Sequence, residues 1–348
     1  MSSLIDWSVA ERTARSLAPA PPQVSPAEAV AAVAELHRAA ERSAALVAEL
    51  TGLTEPPVTA DTVVVDRPGW IEANVASMST VMDPLTERLA ELRPPGRLAR
   101  TVGGSLTGAQ AGAVLAFLSG KVLGQYEFFS QDRGQLLLVA PNIVSVERSL
   151  RVHPADFRLW VCLHEVTHRV QFTAVPWLRQ YMLDQITALT DSIDVDPSAL
   201  AERLRTAVGE LARLVRGEGD SAGLMAALAS PAARVVMDQL TGFMSLVEGH
   251  AEYVMNAVDA SLIPTQPEIE RKFAERRRHG GNPLDRLLRN LLGLDAKTKQ
   301  YTQGSGFVRA VVEQVGLTGF NAVWTSTETL PSKDEIRAPA DWVKRVHG

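Results

Sequence analysis

Two histidines and a glutamate within five residues, His164-Glu165-Val166-Thr167-His168, carry the clearest chemical capacity in this sequence. On an α-helix a step of four residues is slightly more than one turn. His164 and His168 therefore rise on one face, and both imidazoles can reach a single cation. Glu165 follows His164 by about 100° of rotation, from where its carboxylate can face a water held by that cation. Two nitrogen ligands and a general base from one turn are what metal-assisted hydrolysis asks of a helix, and this donor set points to Zn2+.

A hydrolytic zinc site needs three protein ligands and one coordination position left for solvent. The segment Leu246-Val247-Glu248-Gly249-His250-Ala251-Glu252-Tyr253 supplies candidates. Glu248 and Glu252 are spaced to share a helix face, whereas His250 points about 200° away from Glu248. The economical assignment makes Glu248 the third ligand, with Glu252 accepting the free ring N–H of a ligating His. His250 is the runner-up ligand, since imidazole is the commoner zinc donor. Tyr253 and His250 are also candidates to stabilise the oxyanion of an attacked carbonyl.

Both motifs sit in segments that read as helices. In the first, Pro154 suits an opening helical position and Asp156 puts a negative charge in the first turn. Phe157, Leu159, Trp160, Leu163, Thr167 and Val170 form an apolar stripe that Pro176 should end, giving a helix over 154–174 buried on one side. In the second, Phe243, Leu246, Val247, Val254, Met255 and Val258 bury part of a helix over 232–259. The intervening chain reads as two amphipathic helices, Val175 to Thr190 and Ala199 to Arg216, so the ligands can still converge on a cleft between the two motif helices.

The sequence resembles the actinobacterial zincin-like type 2 family of zinc-dependent metallohydrolases, often described as associated with coenzyme F420 biosynthesis. The segments that carry the likeness are Gly120 to Tyr126, Leu138 to Ile143, Arg158 to Phe172, Pro176 to Arg179, Leu246 to Met255, Leu291 to Asp295 and Lys299 to Tyr301. They span the chain from about residue 65 to its end. The resemblance implies a zincin-like fold and a metal-dependent peptidase or hydrolase. Pairing H-E-x-x-H with a distant E-x-x-x-[D/E] is also similar to the gluzincin pattern, in which the distant Glu is a ligand. That implies Glu248 rather than His250, although Glu252 stands where gluzincins usually carry Asp.

Composition narrows the class. The 348 residues are 46% hydrophobic and 22% charged, which describes an ordinary globular protein with a sizeable core. A net charge of −5 gives no reason to expect nucleic-acid or anionic-membrane affinity. Cys162 is the only cysteine, which excludes an internal disulfide and fits a reducing cytosol. It reads as a small core residue, turned away from the His face. The first residues have neither a basic nor an apolar signal region, and no run of about 20 apolar residues occurs anywhere. A cytoplasmic location without a membrane span is the expectation.

Elsewhere, a short first helix leads into a connector with Pro19, Pro21, Pro22 and Pro26, then a helix to Leu50. Thr62 to Asp66 reads as a short strand or extended arm, and Trp70 to Leu92 as a helix closed by Pro94-Pro95-Gly96. The glycine-rich stretch from Gly103 reads as a loop followed by a close-packed helix with small residues Gly108, Ala109, Ala111, Gly112 and Ala116; without a leading strand it supports no phosphate-binding chemistry. Gln135 to Val139 is the best strand, either an edge strand that could pair with a peptide or a buried core strand. Arg271, Lys272, Arg276, Arg277 and Arg278 read as a solvated helix end or, if they border the cleft, as a clamp for an anionic substrate tail. Leu284 to Val315 reads as helical with a break near Gly304-Ser305-Gly306, and Trp324 to Trp342 as a tail that packs through its tryptophans.

The whole reads as a mainly α (α+β) protein of zincin-like metallopeptidase fold with a small β-sheet. Residues 1–60 form an N-terminal helical segment and connector, and 61–348 a catalytic domain. The expected partner is a peptide or other amide-containing substrate, with Glu165 as general base. The rival expectation is a zincin scaffold that binds metal yet serves as a catalytically silent binding or regulatory protein linked to F420 metabolism.

Overall fold

The computed structural model describes residues 4–57, 59–92, 97–129, 134–192, 230–279 and 294–348. Its elements in chain order are α1 (Trp7–Leu17), α2 (Pro26–Thr51), β1 (Asp61–Val65), α3 (Arg67–Leu92), α4 (Arg97–Ser119), β2 (Gly124–Glu127), β3 (Gln135–Val139), α5 (Ala140–Leu150) and α6 (Pro154–Ala174). There follow α7 (Trp177–Asp191), α8 (Pro231–Ala257), α9 (Gln266–His279), α10 (Leu294–Phe320), two 3-10 turns (Asn321–Trp324 and Thr327–Thr329), α11 (Lys333–Arg337) and α12 (Pro339–His347). The fold is mainly α-helical with one three-stranded sheet, as the zincin-like expectation requires. No described helix is long and apolar enough to cross a membrane.

The chain divides into two compact units. The first comprises residues 1–174 and 258–273, the second residues 175–257 and 274–348.

In the first unit the sheet order is β1-β3-β2. β1 runs parallel to β3 with Asp61 opposite Gln135, and β2 runs antiparallel to it with Gly124 opposite Leu138. Leu136, Leu137, Leu138 and Val139 are all nearly inaccessible, so β3 is covered on both faces. The edge-strand reading of Gln135–Val139 is therefore corrected: this is the central strand. β2, with the polar sequence Gly-Gln-Tyr-Glu, has too little strand propensity to announce itself, and it takes one edge.

Helix ends follow local chemistry. α2 starts on a reciprocal cap, Ser25 Oγ accepting from Glu28 N–H and the Glu28 carboxylate from Ser25 N–H, with Pro26 in the first turn. It stops at Gly52, whose φ of 68° is the left-handed conformation that glycine adopts without strain. The loop reading before Gly108 is overturned, because Gly103 to Thr107 also lie inside α4, while the close-packed helix read from Gly108 onward is found. Glycine there serves close packing rather than a turn: a Cβ on Gly108 would stand 2.3 Å from the Asp6 carbonyl oxygen, and one on Gly112 2.4 Å from that of Ala10. The small residues of α4 let α1 lie directly on it.

The second unit has helices and no strand among its described residues. α10 runs through the expected break at Gly304-Ser305-Gly306, and its non-helical residue is Gly316 instead, at φ 71°. Gly304 is again a contact point, since a Cβ there would lie 1.9 Å from the Ser245 carbonyl oxygen of α8. The C-terminal stretch packs as expected: Trp342 is fully buried, donates its indole N–H to Thr329 O at 2.8 Å and meets Phe307 edge-on. The expected helix Ala199 to Arg216, the Pro94-Pro95-Gly96 stop and residues 284–293 lie outside the described residues.

Candidate metal centre

α6 spans the 154–174 expected, but it is buried on more than one side. Arg158, Glu165, Thr167, Arg169 and Gln171 join its apolar residues in the interior. The two arginines can be buried there because each is matched by carboxylates. Near the N-terminal end, Arg158 donates to both oxygens of Glu147 at 2.9 and 2.6 Å and also pairs with Glu35 of α2. Toward the other end, Arg169 donates to both oxygens of Glu55 at 3.0 Å and to Thr62 Oγ1 at 2.7 Å. Asp156, in the first turn, accepts from the N–H and hydroxyl of Thr265 at 3.1 and 2.7 Å and faces His153. Burial pushes its carboxyl up, but these hydrogen bonds outweigh burial and hold it below the usual range.

Between those anchors the two imidazoles meet. Their Nε2 atoms are 3.1 Å apart, with the rings perpendicular and their centroids 4.7 Å apart. Two nitrogens on one tetrahedral zinc, each at about 2.0–2.1 Å, stand about 3.3–3.4 Å from one another, so the pair already has close to the required span. The tautomer fits as well. Nδ1 of His168 faces Gln171 Oε1 at 3.0 Å, and an amide oxygen only accepts. This contact suits a proton on Nδ1, which would turn the Nε2 lone pair toward His164 and any shared cation.

Glu165 is buried, 9% exposed, and its side chain lies over the start of β2. A Cβ on Gly124 would meet Glu165 Cγ at 2.6 Å, Cδ at 2.7 Å and Oε2 at 3.0 Å. Only glycine at this strand position leaves room for the carboxylate as it stands. Cys162, fully buried, has its thiol on the Leu36 carbonyl, and burial and then the Glu165 charge push its pKa well up. That confirms a packing role for it rather than a nucleophilic one.

In the second unit α8 covers Pro231–Ala257, close to the 232–259 expected. Glu248 and His250 are buried at 5% and 1% exposure, while Glu252 and Tyr253 are half-buried. The His250 ring stacks on Phe320 at 5.4 Å and tilts against Trp324 at 5.2 Å, so it belongs to an aromatic cluster of this unit. Gly249 lets α10 approach beside Glu248: a Cβ there would lie 2.1 Å from the Gly304 carbonyl carbon. In the basic cluster of α9, Lys272 is engaged with Arg151 O at 2.9 Å and Glu268 at 2.6 Å, which suits the structural reading better than a clamp.

Two contributors escaped sequence reasoning. Gln171 lies three residues after His168, a helical spacing that could have exposed it as the ring's support. Gly124 gives no signal by spacing, because its role depends on how the sheet meets α6.

Comparison with known proteins agrees with this chemistry. Residues 5–343 match the family described as zincin-like metallopeptidase. No curated protein matches the chain. A crystal structure from Chloroflexus aurantiacus, described as that of a candidate hydrolase with a novel fold, is 32% identical with a TM-score of 0.72, over 99% of each chain.

Proposed function

We propose, for a chain that belongs to the zincin-like metallopeptidase family, that it is a zinc-dependent hydrolase that cleaves the amide bonds of peptides. The observation that carries this reading is the His164–His168 pair, with nitrogens 3.1 Å apart and the His168 ring facing Gln171. We assign Glu248 as the third ligand. His164, His168 and Glu248 have the His-His-Glu composition that suits a metal ion, and the gluzincin-like spacing supports the same choice. Glu252 is proposed to support a ligand ring by hydrogen bonding, and Tyr253 or His250 to donate to the oxyanion.

Zinc, when bound, supplies a Lewis acid that polarises a carbonyl and lowers the pKa of a coordinated water to about 7. The remaining chemistry falls to the chain. The Glu165 carboxylate takes the proton of the attacking water and returns it to the leaving nitrogen, so it acts as base and then as acid. Its burial keeps competing solvent away from that proton. Gln171 holds His168 so that the ring presents Nε2 rather than Nδ1.

The test is metal analysis of the purified chain together with turnover of a quenched fluorescent peptide library. One zinc per chain is expected. Glu165→Gln should retain the zinc and abolish cleavage, and Glu248→Ala should lose most of the zinc. A Glu165→Gln variant with full activity would sink the base assignment, and a Glu248→Ala variant with undiminished zinc affinity would remove Glu248 from the ligand set.

A further inference from the structure

The first unit contains a recess that hydrolysis leaves without a role. A cavity of about 580 Å³ opens between the first turns of α2, the C-terminal end of β1, α5, the start of α6 and the proline-rich strap that precedes α2. Small-molecule sites occupy about 300–1,000 Å³ and are apolar with a few placed polar groups. Here the walls are aliphatic, with Ala32, Val33, Val64, Val144, Pro22 and Pro141 among them, and no aromatic ring lines the space.

The strap is held in place. Arg67 Nη1 donates to the carbonyls of Pro19 and Ala20 at 2.9 and 2.5 Å, and Arg148 Nη1 to that of Gln23 at 2.9 Å. Pro19, Pro21 and Pro22 restrict its φ angles. The wall is thus preformed, and a ligand has little chain entropy to remove on entering.

Charge decides what the recess suits. Its lining holds three carboxylates, Glu28, Asp66 and Glu147, and two guanidiniums, Arg148 and Arg158. Arg158 is matched by Glu147 and Glu35, and Arg148 by Glu28 at 3.3 Å. Among the described residues Asp66 has no ion-pair partner. Its Oδ1 accepts from Gly69 N–H at 2.8 Å, which leaves the carboxylate with further acceptor capacity. An unmatched negative charge at the edge of an aliphatic recess suits a cation with an aliphatic tail. We propose that this recess binds a small aliphatic amine, its ammonium group on Asp66 and its chain along Val64, Ala32, Val33 and Val144.

Calorimetric titration of the full chain with octylammonium, octanoate and octanol tests this. Octylammonium should bind saturably, one per chain, and more tightly than either of the others. Asp66→Asn keeps the amide oxygen that can cap Gly69, so the fold should hold while octylammonium affinity falls about tenfold. Ala29→Trp, on an exposed position of α2 that lines the space, should abolish binding by filling it. Preference for octanoate, equal affinity for all three probes, or binding indifferent to both substitutions would overturn the assignment.

Discussion

Replacing Gly124 by alanine separates catalytic geometry from stability, and its effect can be worked out from the site. The backbone of Gly124 has no positive φ, so alanine meets no conformational objection. The difficulty is space alone. The added Cβ would stand 2.6 Å from Glu165 Cγ and 2.7 Å from Cδ, whereas carbon atoms rest at about 3.5–4.0 Å. One of the two must give by roughly 1 Å. The strand is fixed by its pairing with β3, while the atoms it would strike are the outer part of a flexible side chain, so Glu165 should move. Overpacking of this kind costs about 1–3 kcal/mol, and the loss of glycine's freedom in the unfolded chain offsets about 0.4–1 kcal/mol of it. The net cost in stability should therefore stay below about 3 kcal/mol. A catalytic base displaced by about 1 Å can lose a factor of about 100 in rate.

The expected result is a folded Gly124→Ala protein with unchanged zinc content, a modest shift in urea midpoint and peptide turnover down about 100-fold. Zinc is read by plasma mass spectrometry, stability by urea titration and turnover on the fluorescent library, beside Glu165→Gln. If Glu165→Gln is inactive and Gly124→Ala retains wild-type turnover, the steric argument fails. Large unfolding of Gly124→Ala would instead mean that the strand, not the carboxylate, yields.

Two further outcomes follow from neighbouring contacts. Gln171→Leu removes the acceptor for His168 Nδ1 and frees the ring to change tautomer, so zinc affinity measured against a competing chelator should fall about 10- to 100-fold; an unchanged affinity would show that Gln171 does not orient the ligand. Asp156 has a carboxyl held below its ordinary value, so its contribution to stability is present above the unfolded pKa of about 3.9 and is lost as pH falls through the lower folded value. Asp156→Asn should accordingly lower the urea midpoint at pH 7 and leave it nearly unaltered near pH 2, and an equal loss at both would refute the linkage.

The helix of the two histidines was legible because its signal is local. Proline, an acidic first turn and a 3.6-residue apolar pattern need no tertiary information, and the bounds Pro154–Ala174 follow from them. Glycine misled the reading just before Gly108, taken as a loop, and at Gly304 to Gly306, taken as a break. A helix interior disfavours glycine by about 1 kcal/mol relative to alanine, so a cluster reads as a break unless another helix needs the space. Here α1 and α8 need it, at Gly108 and Gly304. Which neighbour comes close is a property of packing, and no window along the sequence contains it. The same holds for β2, whose four polar residues form a strand only because β3 offers them a partner.

The burial of α6 has a bearing on how a cation could be held. Arg158 and Arg169 lie on either side of the histidine pair, and both are fixed by carboxylates from preceding segments, Glu35, Glu147 and Glu55. Buried ion pairs contribute little net stability once desolvation is counted, and apolar residues of the same size would often do better. Their directional hydrogen bonds do fix how far the helix can rotate or slide. A rotation of α6 by one residue, about 100°, would carry both imidazoles together, and Glu165 with them, to a different side of the helix and strip both arginines of their partners, at about 3–5 kcal/mol for each broken pair. The helix carrying the ring pair is therefore fixed in place, with Gln171 facing the His168 ring and Gly124 leaving room for the Glu165 carboxylate. This division of labour explains why charged residues occupy a helix interior that an apolar sequence could have filled.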